Sequence, residues 1–399
     1  MKDKQLKLFI LACLVFAIGG LTGGALGVAW IHIQAQFNLP LSSLGILVGI
    51  TTVGRLTTTS ASGPLINRFG IAWVLLAGMT ISFIGSLGYV IAPSWELLIV
   101  AGFLMGVGTG ILSTGINSYA AVNFASSQLN WLHASFSVGS TIGPIIVTVI
   151  VIDLAFTWQW SYAFLTLIRF IILVLFFVTR NEWQTIRGAK HDEPSSNVRV
   201  MDTLRLPIVW MLLLIFIFGV GLESTTGQLA NNLLIDGRSI DPKVAGTWVS
   251  IYWGSIAVSR IVVGFVVERV SNDVFLRLNM LGAIIGTGLL WSNLSPMVSF
   301  LGLAIIGFAI APFAPMMTSD TPTRVGTAHT ANSIGFQFTG AGIGMALLPW
   351  LGGVFGETFG LETIPPFLFV TAVIVFILHE LILRREAHNH RMIAPVTNI

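Results

Sequence analysis

Residues Phe216–Asn232 read FIFGVGLESTTGQLANN. The first part continues an apolar run that begins at Ile208; the second sets Glu223 inside that run, followed by Ser224, Thr225, Thr226, Gln228, Asn231 and Asn232. A carboxylate at the centre of a membrane helix costs ~2.5–3.5 kcal/mol on insertion scales, so its retention there marks a working position. Whether the run spans a bilayer or fills a soluble core decides the fold.

Composition settles that question. Only 9% of the 399 residues are charged and 54% are hydrophobic, with a mean hydropathy of +0.87; soluble domains carry about 25% charged residues. Lipid is therefore the main solvent, and the net charge of +3 reads as basic loops on a membrane surface rather than a nucleic-acid face. The single cysteine, Cys13, supports neither a disulfide framework nor a zinc site. The first apolar run is too long for a cleavable signal peptide.

Working outward from Glu223, apolar stretches of about 20 residues predict twelve helical spans: 8–33, 43–65, 71–92, 97–120, 132–155, 160–179, 207–231, 245–267, 274–292, 297–318, 328–352 and 364–383. No alternating ten-residue pattern is present, which excludes a β-barrel. With the N-terminus inside, fifteen of the twenty Lys and Arg residues fall on inner segments. Only Arg238 and Lys243 fall on outer loops; Arg55, Arg169 and Arg260 lie within spans. The positive-inside rule then places both termini in the cytoplasm of a cell-membrane protein.

The polar stretch Arg180–Arg205 divides the spans six and six. The expected organisation is a six-helix bundle over 1–180, a cytoplasmic linker over 181–206, a second bundle over 207–385 and a tail over 386–399. Short matches recur at an offset near half the chain: Gly20-Leu21-Thr22 with Gly221-Leu222-Glu223, Gly63…Asn67-Arg68 with Gly264…Glu268-Arg269, and His133…Ser137 with His329…Ser333. Such repetition suits a parallel-repeat transporter.

Two six-span halves and Gly63-x-x-x-Asn67-Arg68-x-Gly70 resemble the major facilitator superfamily. Within it, Leu129-Asn130-Trp131-Leu132-His133, Gly143-Pro144, Gly106-x-Gly108-x-Gly110 leading to Asn117, and Trp253-Gly254 with Arg260 resemble the fucose/glucose–proton symporter branch. The resemblance implies an all-α fold of two pseudo-symmetric six-helix bundles and alternating-access transport without enzymatic chemistry. It also implies gating roles for Asn67, Arg68, Glu268, Arg269 and Arg260. Asn67 stands where the family motif has an acid, and Glu268 carries that acid in the second copy. The branch's acids in spans one and four are absent here, Ser113 occupying the span-four position.

Glu223 is thereby the candidate proton-coupling group, the alternative being a structural ion pair or helix lock. Candidate substrate residues are Asn117 and Ser113 on one face of span four, and Gln228 and Asn231 beyond Glu223. Trp253 offers a stacking platform, Asn332 and Gln337 lie along span eleven, and Arg55 faces an anionic group or snorkels. His133 and His329 are capping residues or proton relays. The five tryptophans near span ends, Trp30, Trp131, Trp158, Trp160 and Trp291, read as an interfacial belt. The expected partners are a small-molecule solute and the bilayer, with no cofactor or metal beyond the proton and no nucleic acid, for a monomer. The expected activity is proton-coupled carriage of a small polar solute, most simply a sugar. Export of drugs or lipid-like molecules, and a non-transporting sensor, are the alternatives.

Overall fold

The computed structural model describes residues 3–59, 62–124, 126–183, 198–266 and 272–393. Its helices are α1 (Asp3–Phe37), α2 (Ser43–Thr59), α3 (Ser62–Phe69), α4 (Ile71–Ile91), α5 (Trp95–Asn123), α6 (Ser126–Thr148), α7 (Trp158–Thr179), α8 (Val200–Leu204), α9 (Pro207–Asn232), α10 (Pro242–Val266), α11 (Asn272–Ser292), α12 (Pro296–Ile310), α13 (Phe313–Ser319), α14 (Thr321–Val325), α15 (Thr330–Phe359) and α16 (Ile364–Ile393). No strand occurs among the described residues. Among the described residues, ten helical stretches are long and apolar enough to cross a membrane. The α2–α3 pair and α10 complete a twelve-helix arrangement.

Local sequence explains the breaks. Pro312 separates α12 from α13 because it cannot donate to the helix ladder. Pro144 and Pro349, by contrast, remain inside α6 and α15. The loop motif ends at Gly70, whose φ of 82° suits glycine and lets α4 start at once. Helix α9 does not stop at 231: a π-type turn carries it to Gly237. Glu223 accordingly sits near the middle of a 31-residue helical stretch, deeper than the predicted span end implied.

Each half packs its helices through small residues, the usual means of close approach where lipid supplies no hydrophobic drive. A Cβ at Gly106 would collide with the Thr51 carbonyl and one at Gly110 would meet the Arg55 backbone, so α5 lies directly on α2. The tryptophan belt is only partly an interface. Trp131, Trp160 and Trp291 are exposed, whereas Trp30 and Trp158 are buried. Trp30 packs edge-on against Trp95, and Trp158 donates to Gln36 Oε1 at 2.7 Å. Helices longer than the predicted spans drew these two rings into the bundle.

Candidate functional site

The halves meet mainly through α1 with α9, α2 with α15, and α6 with α10, with a smaller contact of α1 with α10. Their contacts gather at the end where α1 and α9 finish. A Cβ at Gly27 of α1 would meet the Gly227 carbonyl of α9, so backbone rests on backbone there. Beside it Gln228 Nε2 donates to Gly23 O at 3.2 Å, Asn231 Nδ2 to Val28 O at 3.4 Å, and Asn232 Nδ2 to Gln34 Oε1 at 3.2 Å. On α2, Ser42 donates its backbone N–H to Glu357 Oε1 of α15 at 2.5 Å and its hydroxyl to Oε2 at 3.3 Å. Lys243 reaches Asp153 across the same end at 2.7 Å. Among the described residues, the cross-half hydrogen bonds farthest from this end are those of Arg55 and Arg260. One end is sealed, and among the described residues no hydrogen bond or ion pair ties the two halves at the end bearing α1's start.

At the floor of that seal lie the charged groups. Arg55 Nη2 approaches Met345 Sδ at 3.7 Å, and Ser224 Oγ, next to Glu223, approaches Met345 O at 3.5 Å. Met345 therefore brings α2 and α9 to one level. Tyr252 of α10 donates to the Glu223 carbonyl at 2.7 Å, and the charge of Arg260 acts on Glu223. Arg260 also crosses the halves, donating to Ser137 Oγ of α6 at 2.7 Å. Arg55, Glu223 and Arg260 are each half-buried; Glu223 lies mid-helix among buried neighbours, as expected of a side chain facing an internal cavity, whereas Arg55 and Arg260 sit in the last two turns of α2 and α10. No ion pair within 4 Å involves any of the three among the described residues.

The other sequence candidates divide. Asn117 and Ser113 are half-buried on α5. Gln228 and Asn231 serve the seal in this conformation, yet Gln228 Oε1, Asn231 Oδ1 and the Trp253 indole N–H are buried with no partner in the protein. The Trp253 ring lies against Gly227, which has no Cβ to exclude it, and edge-on to Tyr252 at 5.2 Å. Gln337 turns into its own half, exchanging hydrogen bonds with Thr321 at 2.9 and 3.2 Å. Asn332 Nδ2 and His329 Nδ1 both meet Thr203 Oγ1 at 3.0 Å, holding the end of the linker region to α15. His133 sits edge-on to Phe16 at 5.4 Å. Asn67 and Arg68 are exposed, Arg68 lying over the Phe69 ring. Glu268 and Arg269 lie outside the described residues, as do 184–197 of the linker and 394–399 of the tail.

Sequence reasoning missed three features. Arg169 is wholly buried in the first half, where Nε donates to Ser82 Oγ at 3.3 Å, Nη1 to Ser86 Oγ at 3.1 Å and Nη2 to Thr22 Oγ1. It neither binds carbonyls nor snorkels. Glu357 fell beyond the predicted end of span eleven; its place in the last turn of α15 was the signal, because a helix C-terminus repels an acid unless another group claims it. Here the start of α2 does. His379, 0% exposed in α16, has no hydrogen bond at either ring nitrogen and lies 3.8 Å from Glu380.

A groove of about 930 Å³ between α6, α10, α11 and α12 is a different kind of surface. Ile251, Val258, Leu278, Leu301 and Phe308 line it and are exposed, which suits acyl chains on the flank rather than a polar solute between the halves.

Comparison with known proteins follows the same lines. The Major Facilitator Superfamily profile matches residues 9–339 and 229–398. Bypass of stop codon protein 6 of Saccharomyces cerevisiae is 24% identical over 402 residues, covering 90% of this chain and 79% of that protein. The glucose/mannose transporter GlcP of Bacillus subtilis is 22% identical over 289 residues, covering 70% and 71%. Among solved structures, a point variant of the nucleoside transporter NupG superposes with a TM-score of 0.78 at 16% identity, covering 95% of this chain and 100% of that one. A D-xylose–proton symporter gives 0.75 at 13% identity, covering 94% and 97%.

Proposed function

Because the chain belongs to the major facilitator superfamily and is a multi-pass membrane transporter rather than an enzyme, we propose that it carries a small polar solute by alternating access coupled to a proton on Glu223. The observation that carries this reading is the position of Glu223: mid-helix in α9, half-buried and within reach of the charge of Arg260 on α10. Desolvation favours the protonated form of an acid and a nearby guanidinium favours the ionised form. A change in either contact as the halves rock therefore drives proton uptake or release.

The basic loops assign the unsealed end to the cytoplasm, so the conformation is inward-facing. Opening the sealed end separates Gln228 from Gly23 and Asn231 from Val28, freeing two amides above Glu223 for an arriving solute. Asn117 and Ser113 complete the hydroxyl-binding surface from α5. A sugar fits these groups best, with support from the relatives named as glucose/mannose transporter and D-xylose–proton symporter. One proton moving down 100 mV releases ~2.3 kcal/mol, and each pH unit adds about 1.4 kcal/mol, enough for accumulation of a few hundred-fold at one proton per solute.

Solute counterflow in proteoliposomes tests the reading. A carrier exchanges labelled for unlabelled solute without any ion gradient. If no member of a broad panel of sugars, nucleosides and organic acids exchanges, a sensor on the same fold replaces the carrier.

A further inference from the structure

The charges between the halves do not balance. Among the described residues between the halves, two arginines, Arg55 and Arg260, accompany a single mid-span carboxylate, Glu223, on which the charge of Arg260 acts. The excess grows by one when Glu223 binds a proton. The two arginines come from equivalent helices, the second span of each half, and lie 205 positions apart, one helical turn from the 201-residue repeat offset. They thus flank the path from both sides.

Arg260 is occupied: it donates to Ser137 and answers the charge of Glu223. Arg55 is not. Its one protein contact is a weak sulfur acceptor at 3.7 Å in the opposite half, and no carboxylate lies within 4 Å of it among the described residues. Pointing at Met345 of α15, it faces the interior rather than snorkelling to an interface. A guanidinium in a low-dielectric site needs an anion or several acceptors. Arg169 shows how this chain settles such a charge when it is structural, with a ring of serine and threonine hydroxyls. Arg55 has no such ring.

We infer that the solute itself supplies the missing negative charge: the chain carries a hydroxyl-bearing monoanion, a sugar acid rather than a neutral sugar, with its carboxylate on the Arg55 fork. The inference rests on the carrier reading above. A guanidinium binds a carboxylate through two parallel hydrogen bonds, which leaves the hydroxyls of the same solute to polar side chains on either side of Arg55 along the path. With Glu223 ionised the level carries one net positive charge, which a monoanion neutralises and a dianionic phosphate overshoots. Loading one anion with one proton moves no net charge, so for such a solute the pH difference alone, about 1.4 kcal/mol per unit, drives accumulation, and the potential drives it only for a neutral solute.

Binding and selectivity are read by thermal shift on the purified full-length protein. The probes are D-glucuronate and D-gluconate, with D-glucose and methyl D-glucuronate as neutral counterparts and D-glucose 6-phosphate as the phosphate arm. At least one of the two acids is expected to stabilise at a concentration tenfold or more below its neutral counterpart and below the phosphate. In Arg55→Gln that preference falls to less than twofold, and Arg55→Lys keeps part of it. The unliganded melting temperature reports the fold of both variants, since neither strands a carboxylate. Equal response to acid and neutral probes, an undiminished preference in Arg55→Gln, stronger binding of the phosphate, or no response to either acid overturns the inference. A bound acid that fails to exchange in counterflow overturns the carrier reading instead and leaves the anion site standing.

Discussion

In the N-terminal half the deep charge is Arg169; in the C-terminal half it is Glu223. The repeat connects them: Thr22, the counterpart of Glu223 at an offset of 201, is one of the hydroxyls that Arg169 binds. Only three of the 17 acidic residues, Asp3, Glu96 and Asp153, fall within 1–180. That half has no carboxylate to pair with its arginine, and Ser82, Ser86 and Thr22 hold it instead while Tyr89 and Tyr162 stack alongside at 4.7 Å. The result is a fixed cation, fully buried and fully occupied. The second half keeps its carboxylate half-buried, answered by an arginine that also bonds across the halves. A charge locked on all sides braces a bundle, whereas one whose surroundings change as the halves part can exchange a proton.

The largest effect expected is from Arg169→Leu. A buried polar group left without a partner costs ~1–3 kcal/mol: Ser82 loses its guanidinium partner outright, while Thr22 and Ser86 lose a charge-assisted bond and keep those to Ile18 O and Thr166. Folded yield and melting temperature in detergent fall more than for any other variant named here. A melting temperature close to wild type would show that the hydroxyl ring braces nothing.

Glu357→Gln acts on the seal. The charge-assisted hydrogen bonds to Ser42 become neutral ones, a loss of about 1–2 kcal/mol, felt only in the sealed conformation. Spin labels on the loops after α1 and α9 should show a population with longer separation. An unchanged distance distribution would remove Glu357 from the gate.

Asn117→Ala removes one half-exposed amide from the solute surface. Binding weakens about fivefold, ~1 kcal/mol, with no change in melting temperature of the unliganded protein; unaltered affinity takes Asn117 out of the site. The smallest effect belongs to Lys243→Ala. Its bridge to Asp153 is solvent-exposed, and exposed pairs contribute little, so both stability and exchange should match wild type.

The twelve-helix fold and the depth of Glu223 were legible because each is written as local pattern: apolar length, and a lone acid in oil. Partners were not. Gln337 looks like a pathway amide from its depth on α15, yet it faces Thr321 inside its own half, a matter of helix rotation that spacing does not fix. Gln228 and Asn231 read as solute ligands and in this conformation tie α9 to α1, because one sequence encodes two arrangements and one structure shows one. The acceptors of Arg169 were not legible, being hydroxyls spread over α1 and α4 with no nearby acid to announce them. Glu357 escaped because α15 runs one turn and more beyond the predicted span.

The asymmetry between the halves is tested most directly by Glu223→Gln in proteoliposomes, comparing gradient-driven accumulation with counterflow of the same labelled solute. Accumulation against a gradient is expected to disappear while counterflow persists, because a neutral amide keeps the shape of the site but cannot carry a proton. Accumulation equal to wild type would contradict that expectation and return Glu223 to the role of a buried structural acid.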